Sequence, residues 1–150
     1  MSWDSVFSLA NGWALVLWVA LAFLPRWPAL LSAILYLGVG LLSLAYAALL
    51  ISIMTGWLDP VGGGGGMDFS SIAGVQGIFQ SKGGTTVGWI HYLAFDLFVG
   101  LWIARDADAK GFSRIVQVPI LFFTLMAGPL GLFLWLVIRE KRARKEGRWS

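Results

Sequence analysis

The chain contains no cysteine and a single histidine, His91, among its 150 residues. Without cysteine it can form no disulfide, bind no zinc through thiolates and use no thiol nucleophile. One histidine also falls short of the ligand set of a transition-metal site, so no metal is expected. The chain has neither a P-loop motif nor a dinucleotide-binding fingerprint, and we expect no nucleotide or redox cofactor.

Charged residues are scarce as well. Only 13% of the residues are charged, whereas 58% are hydrophobic and nine are tryptophan. A soluble domain of this length cannot bury so much apolar surface, so the composition predicts an integral membrane protein. Much of the basic charge follows residue 138 in one short run. Such a run favours anionic membrane lipid as its partner, and we expect no nucleic-acid partner.

Four apolar runs are each long enough to cross a bilayer, which takes about 20 residues. They cover about residues 6–24, 29–55, 86–104 and 115–138. Because backbone in hydrocarbon must satisfy its own hydrogen bonds, the sequence predicts an all-α fold: an integral membrane bundle of four transmembrane helices. Residues 1–150 form one transmembrane domain, with a basic tail at 139–150. This tail and, after four crossings, the N-terminus are both predicted to be cytoplasmic.

The connection between the second and third runs is unusual. It holds five consecutive glycines, residues 62–66, which predict a flexible hinge. Residues at helical spacing then follow, with Ser70 or Ser71 as the candidate N-cap: Phe69, Ile72, Ala73, Gln76 and Phe79. We therefore expect a short interfacial helix in this loop. Two interpretations stay open, a surface helix within an ordinary linker and a lid over a cavity.

The stretch WIHYLAFDLFVG, residues 89–100, places Asp96 near the middle of the third run. A charged carboxylate there costs roughly 2.5–3.5 kcal/mol on insertion scales, so Asp96 is expected to face the bundle interior, neutral or with a partner. Five residues separate it from His91, about 140° around a helix, so the two should not pair within that helix. Two interpretations of Asp96 stay open: a structural contact between helices and a functional role.

Other polar groups are expected around Asp96. Tyr36, Ser43 and Tyr46 predict a polar stripe on the second helix that faces inward. In the fourth helix Pro129 predicts a kink that frees the carbonyl of Leu125, a candidate acceptor for protonated Asp96. The predicted site combines Asp96 and His91 with these lining residues: Trp89, Tyr92, Phe95, Tyr36, Tyr46, Thr124 and Pro129.

The segment GWIHYLAFDLFVGLWIARDA, preceded by FSSIAGVQGIF and followed by GPLGL, resembles the abscisic-acid-deficient-4-like family of small membrane proteins. The resemblance covers roughly residues 5–138. The matching positions are Trp89, His91, Asp96, Asp106, Pro119, Gly128, Pro129 and Gly131. Plant members of that family are tied to making neoxanthin from violaxanthin, a reaction in which an epoxide opens and an allene forms.

The resemblance implies a carotenoid ligand and a cofactor-independent, isomerase-type conversion of its end group. Asp96 and His91 are then the candidate catalytic residues, with Asp96 as proton donor and His91 as acceptor or relay. Two other classes stay open: a non-catalytic carotenoid-binding accessory protein and a small proton-coupled transporter. Candidate protein partners are a second copy of the chain and carotenoid enzymes.

Overall fold

The computed structural model describes residues 2–58 and 68–147, and these residues form helices without any strand. The predicted five-glycine hinge lies outside the described residues. The elements in chain order are α1 (Trp3–Phe23), α2 (Pro28–Ala33), a π-helical segment (Ile34–Gly40), α3 (Leu41–Met54), α4 (Ile72–Ile78), α5 (Lys82–Ala109), α6 (Arg114–Met126) and α7 (Gly128–Glu146).

Three helices are long and apolar enough to cross a membrane: Trp3–Phe23, the continuous run Pro28–Met54, and Lys82–Ala109. They confirm the first three predicted helices, although the third is longer at both ends than predicted. It begins where the Ser81 side chain accepts a hydrogen bond from the Gly84 amide. It ends before Gly111, whose φ of 65° allows the turn that closes the helix.

α5 is the central helix of the bundle. Half of its apolar stretch is buried, compared with 28% for α1 and 17% for Pro28–Met54. It packs against α1, α3, α6 and α7. The ring of Trp18 in α1 fills the space that a Cβ at Gly100 would occupy, so the absence of a side chain lets these two helices approach closely.

α1 and α5 run in the same direction. Where both begin, Lys82 Nζ lies 3.1 Å from the Asp4 carboxylate. Where both end, Arg26 Nη1 lies 3.1 Å from the Ala104 carbonyl oxygen. These contacts define two ends of the bundle, which we call the Lys82 end and the Arg26 end.

The fourth apolar run, predicted as one membrane helix over 115–138, is instead a helical hairpin. α6 ends at Met126, Ala127 is extended, and α7 begins at Gly128. α6 leaves the Arg26 end and α7 returns to it, since Arg139 Nε lies 2.6 Å from Asp106 Oδ2 near the end of α5. The 13 residues of α6 span only about 20 Å, whereas the hydrocarbon core is about 30 Å thick.

Local sequence explains why this run breaks. Pro129 lacks the amide that would bond to the Leu125 carbonyl, and its ring disfavours a continuous helix. Gly128 and Gly131 weaken the helix further, since glycine has low helix propensity. The sequence predicted a kink at Pro129, but the chain reverses direction there.

The hairpin also decides where the ends of the chain lie. Asp4 is at the Lys82 end, whereas Arg142 in α7 donates to the Lys110 carbonyl at the Arg26 end. The prediction that both termini are cytoplasmic required an even number of crossings. The structure has three helices long enough to cross a membrane, so the four crossings on which that prediction rested are not confirmed.

The predicted inward polar stripe of the second helix is mostly wrong. Tyr36 is 71% exposed and Ser43 is also exposed, whereas Tyr46 is half-buried. Tyr36 lies in the π-helical segment, whose Leu37 carbonyl accepts from Trp13 Nε1 at 2.8 Å. Tyr36 and Ser43 are thus on an outward-facing side of this helix, and the spacing of the polar residues alone did not show which side faces the bundle.

We expect Gly100→Val to lower the free energy of unfolding by about 1–3 kcal/mol, because the new side chain overlaps the Trp18 ring. Unfolding of the purified protein in detergent, followed by circular dichroism, measures the change. Gly12→Val is the matched control, since no heavy atom lies within 4 Å of a Cβ at Gly12. An equal effect of both substitutions would show that the Trp18 contact does not set the helix spacing.

Candidate functional site

A cavity of about 500 Å³ lies beside α5, between α3, the α4 segment and the tip of the hairpin. Most of its walls are apolar or aromatic, and α5 supplies the largest share. The side chains and backbone that line it from other elements are Tyr46, Leu50 and Ile53 of α3, Phe69, Ile78 and Phe79 around α4, and Gly128, Pro129 and Leu132 of α7. Such a volume is typical of a small-molecule site.

Asp96 lies in this cavity where α7 begins. Its carboxylate lies against the backbone of Gly128, since a Cβ at position 128 would overlap that carboxylate, and the Gly128 N–H favours the charge of the carboxylate. No side chain of the residue before α7 caps the start of this helix. The first amides of a helix lack partners within it, and the helix dipole is positive there. Asp96, supplied by a neighbouring helix, therefore lies where a capping group of α7 would lie.

This contact differs from the expected one. The sequence suggested that protonated Asp96 donates to the Leu125 carbonyl, but the group that it meets is the Gly128 amide, which is a donor. The reason is that the run reverses at Ala127, so the tip presents the first amides of α7 to α5. A neutral carboxyl group can keep this bond as well, because its carbonyl oxygen accepts while its hydroxyl stays available.

His91 lies nearer the Lys82 end, among aromatic rings. Its imidazole stacks on Phe95 with ring centroids 4.6 Å apart, and Tyr46 of α3 lies at 5.4 Å. Tyr92 approaches edge-on at 6.2 Å. These rings hold the imidazole at the cavity wall.

His91 and Asp96 line the same cavity although they lie on different stripes of α5. Between His91 and Asp96 the cavity follows the surface of α5, where Tyr92, Phe95 and Val99 line it. The two ionisable groups thus reach one space from separate positions. Within residues 2–58 and 68–147, no three His, Cys, Asp or Glu side chains are grouped as a metal site requires.

Four of the seven predicted lining residues do line the cavity: Tyr46, Tyr92, Phe95 and Pro129. The other three lie elsewhere. Trp89 Nε1 donates to Asn11 Oδ1 at 2.9 Å and so joins α5 to α1. Thr124 is buried inside the hairpin against Gly131, and Tyr36 faces outward.

The loop helix forms one wall of the cavity at the Lys82 end. α4 begins as predicted, since Ser71 Oγ accepts from the Gly74 amide at 3.0 Å. Phe69 and Phe79 both line the cavity, and the Phe79 ring occupies the space that a Cβ at Gly88 would take. The segment is therefore packed on α5, as the lid interpretation requires.

Asp68 organises the chain before α4, a role that the sequence analysis missed. Its Oδ1 accepts from the Ser70 hydroxyl at 2.6 Å and amide at 2.8 Å, and its Oδ2 accepts from Ser71 Oγ at 2.8 Å. These bonds, chiefly the one from the Ser70 side chain, hold the pKa of Asp68 below its ordinary value. Their stabilising effect is present at neutral pH and is lost as the pH falls through the lowered pKa. The Asp-x-Ser-Ser spacing is the signal that marks this turn.

A group of buried charges at the Arg26 end attaches the hairpin to α5. Asp106 Oδ2 accepts from Arg139 Nε at 2.6 Å and from Trp135 Nε1 at 2.9 Å. Lys110 Nζ lies 3.4 Å from Asp106 Oδ1. The sequence analysis matched Asp106 to the family without a role, and the four-residue spacing from Lys110 was the available signal. The group fixes the position of α7, and through it the position of Gly128.

Arg26 forms a second contact between elements at this end. Its Nη1 donates to the Asp108 carboxylate at 3.1 Å and to Gln117 Oε1 of α6. Gln117 in turn donates to Asp108 at 2.9 Å. Burial lowers the pKa of Arg26, and the hydrogen bond to Asp108 opposes that shift. An arginine stays protonated under such conditions, so the pair remains ionic.

Three long apolar helices, a short hairpin and an apolar cavity with two ionisable side chains define a small helical membrane protein. The chain belongs to the ABA DEFICIENT 4-like family, whose model matches residues 5–135. No curated protein matches the chain, and no solved structure matches it either. The family match confirms the resemblance seen in the sequence and covers every residue that lines the cavity.

We expect Asp106→Ala to lower the free energy of unfolding by about 3–5 kcal/mol, because it leaves the buried Arg139 guanidinium without its carboxylate. The Asp106 and Arg139 side chains are only 9% and 7% exposed. Unfolding in detergent again provides the measurement. Asp4→Ala is the matched control, since its pair with Lys82 is exposed and such pairs contribute at most about 1 kcal/mol. Similar losses in both variants would contradict the conclusion that the buried contact between Asp106 and Arg139 attaches the hairpin to α5.

Proposed function

We propose that the cavity binds one end group of a carotenoid and isomerises it by acid–base chemistry. The observation that carries the proposal is that Asp96 and His91 line one mainly apolar cavity of about 500 Å³. Membership of a family named for its link to the abscisic acid pathway supports the substrate class. A carotenoid is about as long as the hydrocarbon core is thick, about 30 Å, so the cavity takes one end group and the polyene extends into lipid.

The arrangement suits conversion of an epoxide to an allene. Neutral Asp96 donates its proton to the epoxide oxygen as the ring carbon–oxygen bond breaks. His91 removes a proton from the neighbouring polyene carbon, and the released electron pair forms the second double bond of the allene. One proton enters the substrate and one leaves it, so the product is an isomer and no oxidant or reductant takes part. Return of the proton from His91 to Asp96 restores the enzyme.

Two further features of the cavity fit this chemistry. The Gly128 amide can keep one Asp96 oxygen as its acceptor while the hydroxyl of the neutral acid faces the substrate. Phe95 and Tyr46 pack on His91 and limit its rotation. Positioned groups of this kind are what general acid–base catalysis requires.

We expect Asp96→Asn to reduce conversion by about a hundredfold or more without unfolding the protein, because the amide oxygen still accepts from Gly128. His91→Phe should have a similar effect, since it keeps the aromatic packing and removes the base. The measurement is chromatography of pigments from a host that makes β-carotene and xanthophylls. Asp4→Asn, an exposed acid outside the cavity, is the control and should leave conversion unchanged.

The same experiment separates the alternatives. Unchanged pigment composition in both variants and in the wild type overturns the isomerase proposal. If unaltered pigment also co-purifies with the protein, the chain is a carotenoid-binding accessory protein. If uptake of a solute instead depends on pH and on Asp96, the chain is a proton-coupled transporter.

We infer that the Arg26 end faces the cytoplasm. Ten of the eleven Lys and Arg residues are described, and only Lys82 lies at the opposite end. The hairpin brings the basic residues of α7 to the same end as Arg26, Arg105, Lys110 and Arg114, so the charge asymmetry is much larger than four crossings would give. A one-sided excess of Lys and Arg near membrane helices marks the cytoplasmic side.

The absence of native cysteine allows a direct test of this topology. We expect Gln80→Cys to react with a membrane-impermeant maleimide in intact cells, whereas Ser113→Cys and Lys141→Cys react only after lysis. Ser113 and Lys141 flank the hairpin, so they should always label alike. Labelling of these two positions from opposite sides would mean that the 114–146 segment crosses the membrane.

A further inference from the structure

We propose that a groove between α1 and α6 binds one anionic glycerophospholipid. The groove has a volume of about 130 Å³ and apolar walls, from Leu15 to Phe23 on α1 and from Val118 to Leu125 on α6. None of its residues lines the cavity that contains Asp96. It is therefore a separate site, and the inference does not rest on the proposed function.

A buried, unpaired donor belongs to Trp18, one of the residues that line the groove. Trp18 is 3% exposed, and its indole Nε1 has no hydrogen-bond partner among the described residues. The benzene edge of the same ring packs on Gly100 of α5, while the side chain also lines the groove. A buried N–H without an acceptor costs about 1–3 kcal/mol. Because neighbouring atoms cover this nitrogen, the carbonyl oxygen of a ligand in the groove would supply the acceptor after a small shift of the Trp18 ring.

A positive charge marks the mouth of the groove. Arg114 Nη1 donates to the carbonyl of Ala22 at 3.2 Å, and Ala22 lines the groove. Nearby Arg26 forms an ion pair with the Asp108 carboxylate. Arg114, Arg26 and Asp108 together therefore carry one net positive charge. Arg114 is also the first residue of α6, whose N-cap side chain forms no capping bond. A guanidinium at the positive end of a helix dipole favours a phosphate group.

The spacing of these features matches the order of groups in a phospholipid. Ala22 and Trp18 are four residues apart on α1, which is an axial rise of about 6 Å. A phosphate at Arg114 is then followed by a glycerol ester carbonyl at the Trp18 N–H. Beyond Trp18 the groove continues to Leu15 and Leu125, where an acyl chain fits. The net charge selects an anionic headgroup, and the Arg26 end carries most of the basic residues of the chain.

Native mass spectrometry of the full chain, released from detergent with palmitoyl-oleoyl phosphatidylglycerol or phosphatidylcholine, tests the proposal. We expect one retained phosphatidylglycerol and weaker retention of phosphatidylcholine. Arg114→Gln should lower phosphatidylglycerol retention about tenfold, the loss of one charge-assisted hydrogen bond. Arg105→Gln removes an exposed charge at the same end and should have little effect. Equal losses in these two variants, or equal retention of both lipids, would overturn the proposal.

Two further variants test the groove itself. Val19→Trp should fill it from an exposed position and abolish retention, whereas Val16→Trp adds the same ring on α1 outside the groove and should not. Trp18→Phe should lower the retention of both lipids about fivefold, because both lipids carry the ester carbonyl. Inorganic phosphate should not compete with the lipid. Displacement by phosphate alone would mean that Arg114 holds a free anion and that the groove plays no part.

Discussion

A helix that begins inside a membrane needs an acceptor for its first amides, and the contact between Asp96 and Gly128 meets that need. Backbone N–H groups without partners are costly in hydrocarbon, and non-helical backbone is tolerated there only where it is buried in protein or lines a cavity. Ala127 breaks the last apolar run, and the backbone of Gly128 lies against a carboxylate from α5. A half-buried acid and a broken helix, each unfavourable alone in hydrocarbon, thus stabilise one another.

Two contacts with α5 hold the hairpin, one at Asp106 and one at Asp96. The cavity lies beside the contact at Asp96, which is nearer the Lys82 end. At the Arg26 end Asp106 binds Arg139, Trp135 and Lys110, which fixes α7 along α5. Near the middle of α5, Asp96 fixes the tip. The cavity wall formed by Gly128 and Pro129 therefore depends on a distant ionic contact as well as on the local cap. Removing either contact should disturb the site before it disturbs the three long helices.

Hydropathy predicted three of the membrane helices, but it could not distinguish a crossing from a hairpin. The 115–138 run is long and apolar in either case, and the reversal becomes visible only in the structure, for example in the contact of Arg139 with Asp106. Helical geometry on α5 succeeded for His91 and Asp96 because that helix is regular through both. It failed for Tyr36 and Ser43, which are both exposed, because the spacing of polar residues does not show which side of a helix faces its neighbours. The roles of Phe69 and Phe79 depend on how the loop folds back, which their helical spacing alone does not determine.

The cap of α7 also bears on the proposed chemistry. Hydrogen bonds to a carboxylate are stronger than those to a neutral carboxyl group, and the positive end of a helix favours negative charge. In the proposed reaction, the interaction with the Gly128 N–H would therefore strengthen as Asp96 gives its proton to the substrate, and the α7 dipole would stabilise the developing charge. An interaction that gains strength along the reaction lowers the barrier, whereas one of constant strength does not. The contact that holds the hairpin in place is thus also the one that would favour proton transfer from Asp96, so folding and catalysis would depend on the same carboxyl group.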